Sequence, residues 1–157
     1  MQPDLAFACL IVLWRIILRA DFYHLTQAPL EKALPSIAER VFKNGERLAI
    51  IADDEKLLIR LDALLWSYKR ESFLPHGRDG DQPILLTNHV DTVDPQNVIL
   101  VDGIWREAAL KFNRAFYFFD SETVDNARVA WRGLADAPDV ERHYWKQDDS
   151  GKWVEGP

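Results

Sequence analysis

The sequence predicts an α/β fold in which helices cover both faces of one mostly parallel sheet. Short apolar runs alternate with longer amphipathic runs, and no internal repeat is present. Strands that are apolar throughout are typical of parallel sheets buried on both faces, and the intervening helices supply the crossover connections that parallel strands need. We therefore predict a three-layer sandwich that forms a single domain over residues 21–157.

The predicted strands are short runs in which most residues are apolar, as in strands buried on both faces. In chain order they cover residues 22–25, 47–52, 83–87, 97–101 and 115–119. Residues 72–82 are predicted to form a loop and a turn. Past residue 135 the pattern changes, and a polar turn at 148–151 between residues 143–146 and 152–154 predicts a β-hairpin.

The predicted helices are runs in which apolar residues recur every three or four positions. They cover residues 30–42, 57–65, 105–112 and 124–134. Asp53 and Asp54 are suited to cap the second helix, and Asp120 or Ser121 the last one, because a short polar side chain can accept the unpaired backbone N–H groups of a first turn. Pro35 lies inside the first helical pattern and predicts a kink or a restart there.

The first twenty residues are expected to form an extension outside the fold, such as a mis-assigned translation start. Leu5–Trp14 is a run of ten apolar residues, whereas crossing a bilayer takes about 20. Arg15 and Arg19 interrupt its continuation. A short helix packed on the domain is the alternative, and the sequence leaves both interpretations open.

Composition favours a protein partner in a reducing compartment, and so a cytoplasmic location. Cys9 is the single cysteine, so no intrachain disulfide can form. The formal net charge of −6, from 19 basic and 25 acidic residues, argues against tight contact with a nucleic-acid backbone unless the positive charge is strongly clustered. We expect no membrane association.

The helix predicted over residues 124–134 carries the main candidate site. Arg128 and Arg132 lie one turn apart beside Trp131. Guanidinium groups pair with carboxylates and an indole offers an apolar wall, so this arrangement would suit an acidic peptide that ends in an aromatic residue. The alternative is structural: the indole belongs to the core and the arginines keep the helix soluble.

Signals for catalysis are weak. The chain has neither GxxxxGK[ST] nor GxGxxG, so a phosphate loop is not indicated, and its four histidines show no metal-ligand spacing. His89 and Asp91 could form a base and its orienting group, but no nucleophile is indicated nearby. A degenerate nucleotide hydrolase using Asp53 and Asp102 remains the alternative from another class, although a capping role for Asp102 is favoured. We expect no cofactor and no metal.

Several short motifs, taken in order, resemble the chi subunit of bacterial DNA polymerase III holoenzyme. The resemblance runs from about Phe22 to Trp153 and leaves only the first twenty residues outside it. The motifs that carry it are Phe22-Tyr23-His24-Leu25-Thr26, Pro29 to Pro35, Leu65-Trp66, Ser72 to Gly77, Asp81 to Ile84, Val98 to Gly103, Arg128 to Arg132, Tyr144-Trp145 and Lys152-Trp153.

This resemblance implies a nucleotide-binding-like fold without a phosphate loop and a non-catalytic accessory protein of the clamp loader. Such a protein links the replicase to single-stranded-DNA-binding protein and meets DNA only indirectly. The acidic, aromatic-terminated tail of the binding protein would bind at Arg128, Trp131 and Arg132, with Tyr117 nearby. A second surface at Trp66 and Phe73 would bind the psi subunit or a helicase-like protein.

Overall fold

The computed structural model describes residues 18–69, 73–90 and 96–156. These residues contain eight strands, three α-helices and one 3-10 helix. The strands are β1 (Leu18–His24), β2 (Leu48–Ile51), β3 (His76–Gly77), β4 (Ile84–Thr87), β5 (Asn97–Leu100), β6 (Arg114–Phe119), β7 (Val140–Gln147) and β8 (Trp153–Glu155). The α-helices are α1 (Leu30–Lys43), α2 (Glu55–Ser67) and α3 (Val124–Gly133), and the 3-10 helix is Glu107–Lys111.

The eight strands form one sheet in the order β3-β4-β2-β5-β6-β1-β7-β8. Every neighbouring pair is parallel except β7 and β8, which form the predicted antiparallel hairpin. The prediction of an α/β fold with a mostly parallel sheet is therefore confirmed. The first strand lies deep inside the sheet, between β6 and β7.

Two hydrophobic clusters lie on opposite faces of the sheet, which makes the fold a three-layer sandwich. Residues of α1 and α2 pack on one face, and residues of α3 and the 3-10 helix on the other. Side chains of β6 alternate between the clusters, so that Phe116 and Phe118 join the first, whereas Tyr117 and Phe119 join the second. This alternation decides which aromatic residues of β6 can reach α3.

Three element predictions differ from the structure. β1 begins at Leu18 and pairs Arg19 with Arg114, so residues 18–20 belong to the sheet and not to an extension. The remainder of the predicted extension lies outside the described residues. His76 and Gly77, predicted as loop, pair in parallel with β4. The short helix predicted over residues 105–112 is a 3-10 helix.

The predicted helix signals are largely present. Asp54 is the N-cap of α2, and its side chain accepts the Lys56 N–H at 2.9 Å. The first helix continues through Pro35, which excludes a restart there. Among the described residues, no helix has the length and apolar character needed to cross a bilayer.

Candidate functional site

A tight turn after β6 sets the start of α3. Asp120 Oδ1 accepts the backbone N–H groups of Glu122 at 2.9 Å and Thr123 at 3.1 Å. The helix itself begins at Val124 with Thr123 as its N-cap, and Thr123 makes no side-chain capping bond. The prediction that Asp120 or Ser121 caps the helix is therefore wrong by two or three residues. Asp120 instead orders the turn that precedes the helix.

A cavity of about 430 Å³ lies between α3 and the carboxyl ends of β1 and β6. We call it the α3 cavity. Its lining includes the three α3 residues singled out from the sequence, Arg128, Trp131 and Arg132, and adds six that were not predicted as site residues. These are Phe22, His24, Phe119, Val124, Ala127 and Tyr144. A concave, mostly apolar surface with a few charged groups is the usual form of a ligand site.

The indole of Trp131 is held from several sides. Phe22 contacts it edge to face, with ring centroids 5.2 Å apart, and Tyr144 lies 6.5 Å away in a similar arrangement. The guanidinium of Arg142 lies 4.3 Å from the indole centroid, and its Nη1 donates to the Trp131 carbonyl at 2.6 Å. The half-buried indole is therefore fixed in the cavity wall, with part of its surface open to the cavity.

The two α3 arginines lie at the solvent side of the α3 cavity. The Arg128 guanidinium makes one bond to Asp125, 3.1 Å long, in which both side chains are largely exposed. Such a surface pair contributes at most about 1 kcal/mol and is readily exchanged for another carboxylate. Arg132 forms no ion pair within the described part of the chain. Both positive charges are thus available to an acidic ligand.

The opposite wall of the α3 cavity is aromatic. The His24 imidazole stacks on Phe119 with ring centroids 4.7 Å apart, and its Nδ1 lies 3.0 Å from the Tyr144 hydroxyl. Burial lowers the pKa of His24, which favours the neutral ring at neutral pH. Because His24 and Phe119 end adjacent parallel strands, the carboxyl edge of the sheet was the signal that could have identified them.

Tyr117 does not line the α3 cavity, although the sequence resemblance placed it at the peptide site. Its side chain is fully buried, and its hydroxyl donates to the Gly103 carbonyl at 2.5 Å. Burial raises the pKa of Tyr117 to about 12. Its ring contacts Phe22 at 5.1 Å, so Tyr117 supports the cavity floor from beneath.

Comparison with protein-family models assigns the chain to a family. Residues 18–138 match the family model described as DNA polymerase III chi subunit, HolC. The chain belongs to this family. It is 40% identical over 53 residues to the DNA polymerase III subunit chi of Escherichia coli K12, covering 34% of this chain and 36% of that protein.

Two further chi-family relatives show lower identity over longer stretches. The subunit chi of Pseudomonas aeruginosa is 31% identical over 74 residues, which cover 43% of this chain and 52% of the relative. The probable subunit chi of Rickettsia prowazekii is 26% identical over 86 residues, or 52% of each chain. The chain thus spans about a third to a half of the length of the curated relatives it matches.

The chi-family chain presents a second candidate surface on α2. Trp66 and Phe73 are 57% and 66% exposed, and their ring centroids are 5.5 Å apart. Ile59, which is 58% exposed, lies two helical turns before Trp66 on the same side of α2. The exposed rings of Trp66 and Phe73 therefore form one apolar patch, which we call the α2 patch, and Ile59 is exposed further along the same side of the helix.

Buried His76 supports the α2 patch from below. Its ring centroid lies 4.6 Å from that of Trp66. The ring nitrogens lie 2.6 Å from the Leu74 carbonyl and 3.0 Å from the Asp62 carbonyl. These contacts connect α2 to the strand β3, so that the exposed indole sits on a fixed platform.

The carboxylates of the alternative enzyme hypothesis are both engaged by Arg106. Its guanidinium contacts the Asp102 side chain at 2.8 and 2.9 Å and Asp53 at 2.8 Å, while the Asp53 amide donates to Asp102 at 3.0 Å. Burial would raise the pKa of Asp102, but the hydrogen bonds from Arg106 and the Asp53 amide outweigh it and lower that pKa. The three residues connect the carboxyl ends of β2 and β5.

Proposed function

We propose that this chi-family protein is a non-catalytic accessory subunit of the bacterial replicative DNA polymerase and its clamp loader. In this role it links the assembly, in the cytoplasm, to the acidic C-terminal tail of single-stranded-DNA-binding protein. The observation that supports the proposal is the α3 cavity, in which an apolar wall around Trp131 is combined with the exposed charges of Arg128 and Arg132.

The cavity matches the two chemical properties of such a tail. An aromatic side chain at the end of the tail would bury against the rings of Trp131 and Phe119, and the acidic groups would pair with the arginines. Arg suits this role because its planar guanidinium binds a carboxylate through two N–H groups. Arg142, already bonded to the Trp131 carbonyl, keeps the indole in place before the peptide arrives.

The expected affinity is moderate. Burial of one aromatic ring contributes about 1.5–3 kcal/mol, and each charge-assisted hydrogen bond about 1.5–3 kcal/mol. Association costs at least about 4 kcal/mol in lost translational and rotational freedom. With four such bonds, two from each arginine, the balance is roughly 7 kcal/mol, which corresponds to a dissociation constant on the order of 10 μM. Binding should weaken as salt screens the arginines.

Isothermal titration calorimetry with the acidic tail peptide tests the proposal. Trp131→Ala and Arg128→Ala should each weaken binding by about tenfold or more. Arg60→Ala is the matched control, because Arg60 is an exposed arginine of α2 whose ion pair within the described residues is a loose one to Glu31, at 3.5 Å. Unchanged affinity in the Trp131 and Arg128 variants, with circular dichroism showing intact folds, would remove the site assignment.

The α2 patch is the second part of the proposal. Its exposed rings at Trp66 and Phe73 suit a protein partner, namely the psi subunit or a helicase-like protein. Phe73→Ala should reduce co-purification of that partner while tail binding in the α3 cavity is retained. Loss of both activities together would show that the substitution damages the fold.

A hydrolase function has less support, because the two carboxylates that it needs, Asp53 and Asp102, are both paired with Arg106. An assay of nucleoside triphosphate hydrolysis distinguishes the two functions. Magnesium-dependent turnover that is lost in Asp102→Asn would favour the enzyme and contradict the non-catalytic role.

A further inference from the structure

A second cavity, of about 450 Å³, lies at the opposite edge of the sheet from the α3 cavity. It is formed by the amino ends of β1, β5 and β6 and by the end of α1, and we call it the amino-edge cavity. Arg19 lies in it, whereas His24 of the same strand lines the α3 cavity. Five residues of extended strand separate the two, so the cavities are roughly 16 Å apart.

Two arginines of the amino-edge cavity are fixed by a buried carboxylate. Arg19 Nε and Arg114 Nε lie 3.1 and 2.8 Å from Asp21, which is fully buried. The Arg114 guanidinium also lies 4.3 Å from the Phe116 ring centroid. Both contacts to Asp21 are made by the Nε atoms. The terminal Nη groups of Arg19 and Arg114 make no hydrogen bond within the described part of the chain. These donors are preorganised for an anion.

A third arginine extends the positive charge towards solvent. Arg40 is exposed on the last turn of α1 and forms no ion pair among the described residues. Of the described carboxylates, Glu46 lines the amino-edge cavity and accepts the Asn97 amide at 2.7 Å, and Asp21 lies beneath it, bonded to Arg19 and Arg114. Among the described residues, three guanidinium groups against two carboxylates leave a local excess of positive charge, although the whole chain carries −6.

The other polar groups of the amino-edge cavity are carboxamides. Asn44 and Asn113 line it, and their side chains make no hydrogen bond within the described residues. A carboxamide carries both donors and an acceptor, as the edge of a nucleobase requires, whereas an ionised carboxylate needs donors alone. The volume also lies in the range of small-molecule sites.

We propose that the amino-edge cavity binds a nucleotide unit. Its phosphate would pair with the guanidinium groups of Arg19, Arg40 and Arg114, and its base edge would bond to the carboxamides of Asn44 and Asn113. The unit comes either from a free nucleotide or from single-stranded DNA, since both present the same phosphate and base. This site lies apart from the tail-binding site, and binding of single-stranded DNA in it would be a direct contact, where the sequence resemblance implies only an indirect one.

Two variants with opposite expected effects test the site on the full chain at low ionic strength. Arg40→Gln removes one positive charge and should weaken binding about fivefold. Glu46→Gln removes a competing negative charge, keeps an oxygen that can accept from Asn97, and should strengthen binding. Arg60→Gln, an equal change of charge on α2, is the control and should leave affinity unchanged. Misfolding cannot produce this pattern of opposite signs.

The probes are deoxyadenosine monophosphate, deoxyadenosine and a fluorescent single-stranded oligodeoxyadenylate. NMR titration follows the side-chain amides of Asn44 and Asn113, and fluorescence anisotropy follows the oligonucleotide. Binding of the monophosphate but not of deoxyadenosine, with the expected changes in both variants, supports a free-nucleotide site. Binding of the oligonucleotide alone, with the same changes, supports a DNA site. Absence of binding by all three probes, or equal affinity in Arg40→Gln and the parent chain, overturns the proposal.

Discussion

Replacing Asp21 with asparagine should destabilise the fold strongly. The Asp21 carboxylate is fully buried and receives hydrogen bonds from Arg19 Nε, Arg114 Nε and, at 2.8 Å, Trp145 Nε1. It therefore connects β1 to both of its neighbours in the sheet, β6 and β7. An asparagine keeps one acceptor oxygen but turns an N–H₂ group towards these donors, and it leaves two guanidinium groups without their counter-ion.

The expected loss in unfolding free energy is about 3 kcal/mol. Breaking a buried ion pair costs about 3–5 kcal/mol, and the lower end applies because Arg19 and Arg114 are partly exposed and can regain water. Since a domain of this kind is stable by roughly 5–15 kcal/mol, the urea midpoint should fall by about 1–2 M.

A matched control separates this effect from the chemistry of the substitution itself. Asp54→Asn makes the same change at the exposed N-cap of α2, where asparagine caps almost as well as aspartate, and it should cost no more than about 1 kcal/mol. Equal losses in the two variants, or a loss below about 1 kcal/mol for Asp21→Asn, would show that the buried carboxylate does not hold the three strands together.

Two further predictions concern local features. Gly103→Ala should destabilise the fold by more than Gly45→Ala in chemical denaturation: both glycines have positive φ, but an added Cβ at Gly103 would lie 2.5 Å from Thr123, whereas Gly45 has open space. The His143 Nδ1 lies 2.5 Å from Glu155, and this hydrogen bond is the largest influence that raises the pKa of His143. The stabilisation that this hydrogen bond adds to the unfolding free energy is present below about pH 6.5 and is lost as pH rises through the raised pKa of His143. His143→Gln should therefore flatten the pH dependence of the unfolding free energy, measured between about pH 5 and 8.

Helical periodicity was sufficient to place one wall of the α3 cavity. Val124, Ala127 and Trp131 recur at the spacing of one helical face, with Arg128 and Arg132 at its flank, and the structure brings all five to the same cavity. This succeeded because side-chain direction in a helix depends on local geometry alone, which the sequence specifies.

The opposite wall depends on strand neighbours, which the sequence did not specify. Tyr117 and Phe119 point to the same face of β6, but only Phe119 lies at the strand end that borders the α3 cavity. Arg142 reaches Trp131 because β7 runs parallel to β1, with Arg142 opposite Ala20. The sequence predicted a hairpin there but gave neither its partner strand nor its register, so Arg142 was missed.

The position of β1 between β6 and β7 has a consequence for synthesis of the protein. Its partners follow it by roughly 90 to 120 residues, so a nascent chain emerging at about 5–20 residues per second leaves β1 without its neighbours for on the order of ten seconds. During that interval the aromatic residues Phe22 and Tyr23 are exposed in the growing polypeptide. Ribosome-associated chaperones would therefore meet this chain early, and truncation before β6 should produce an insoluble product.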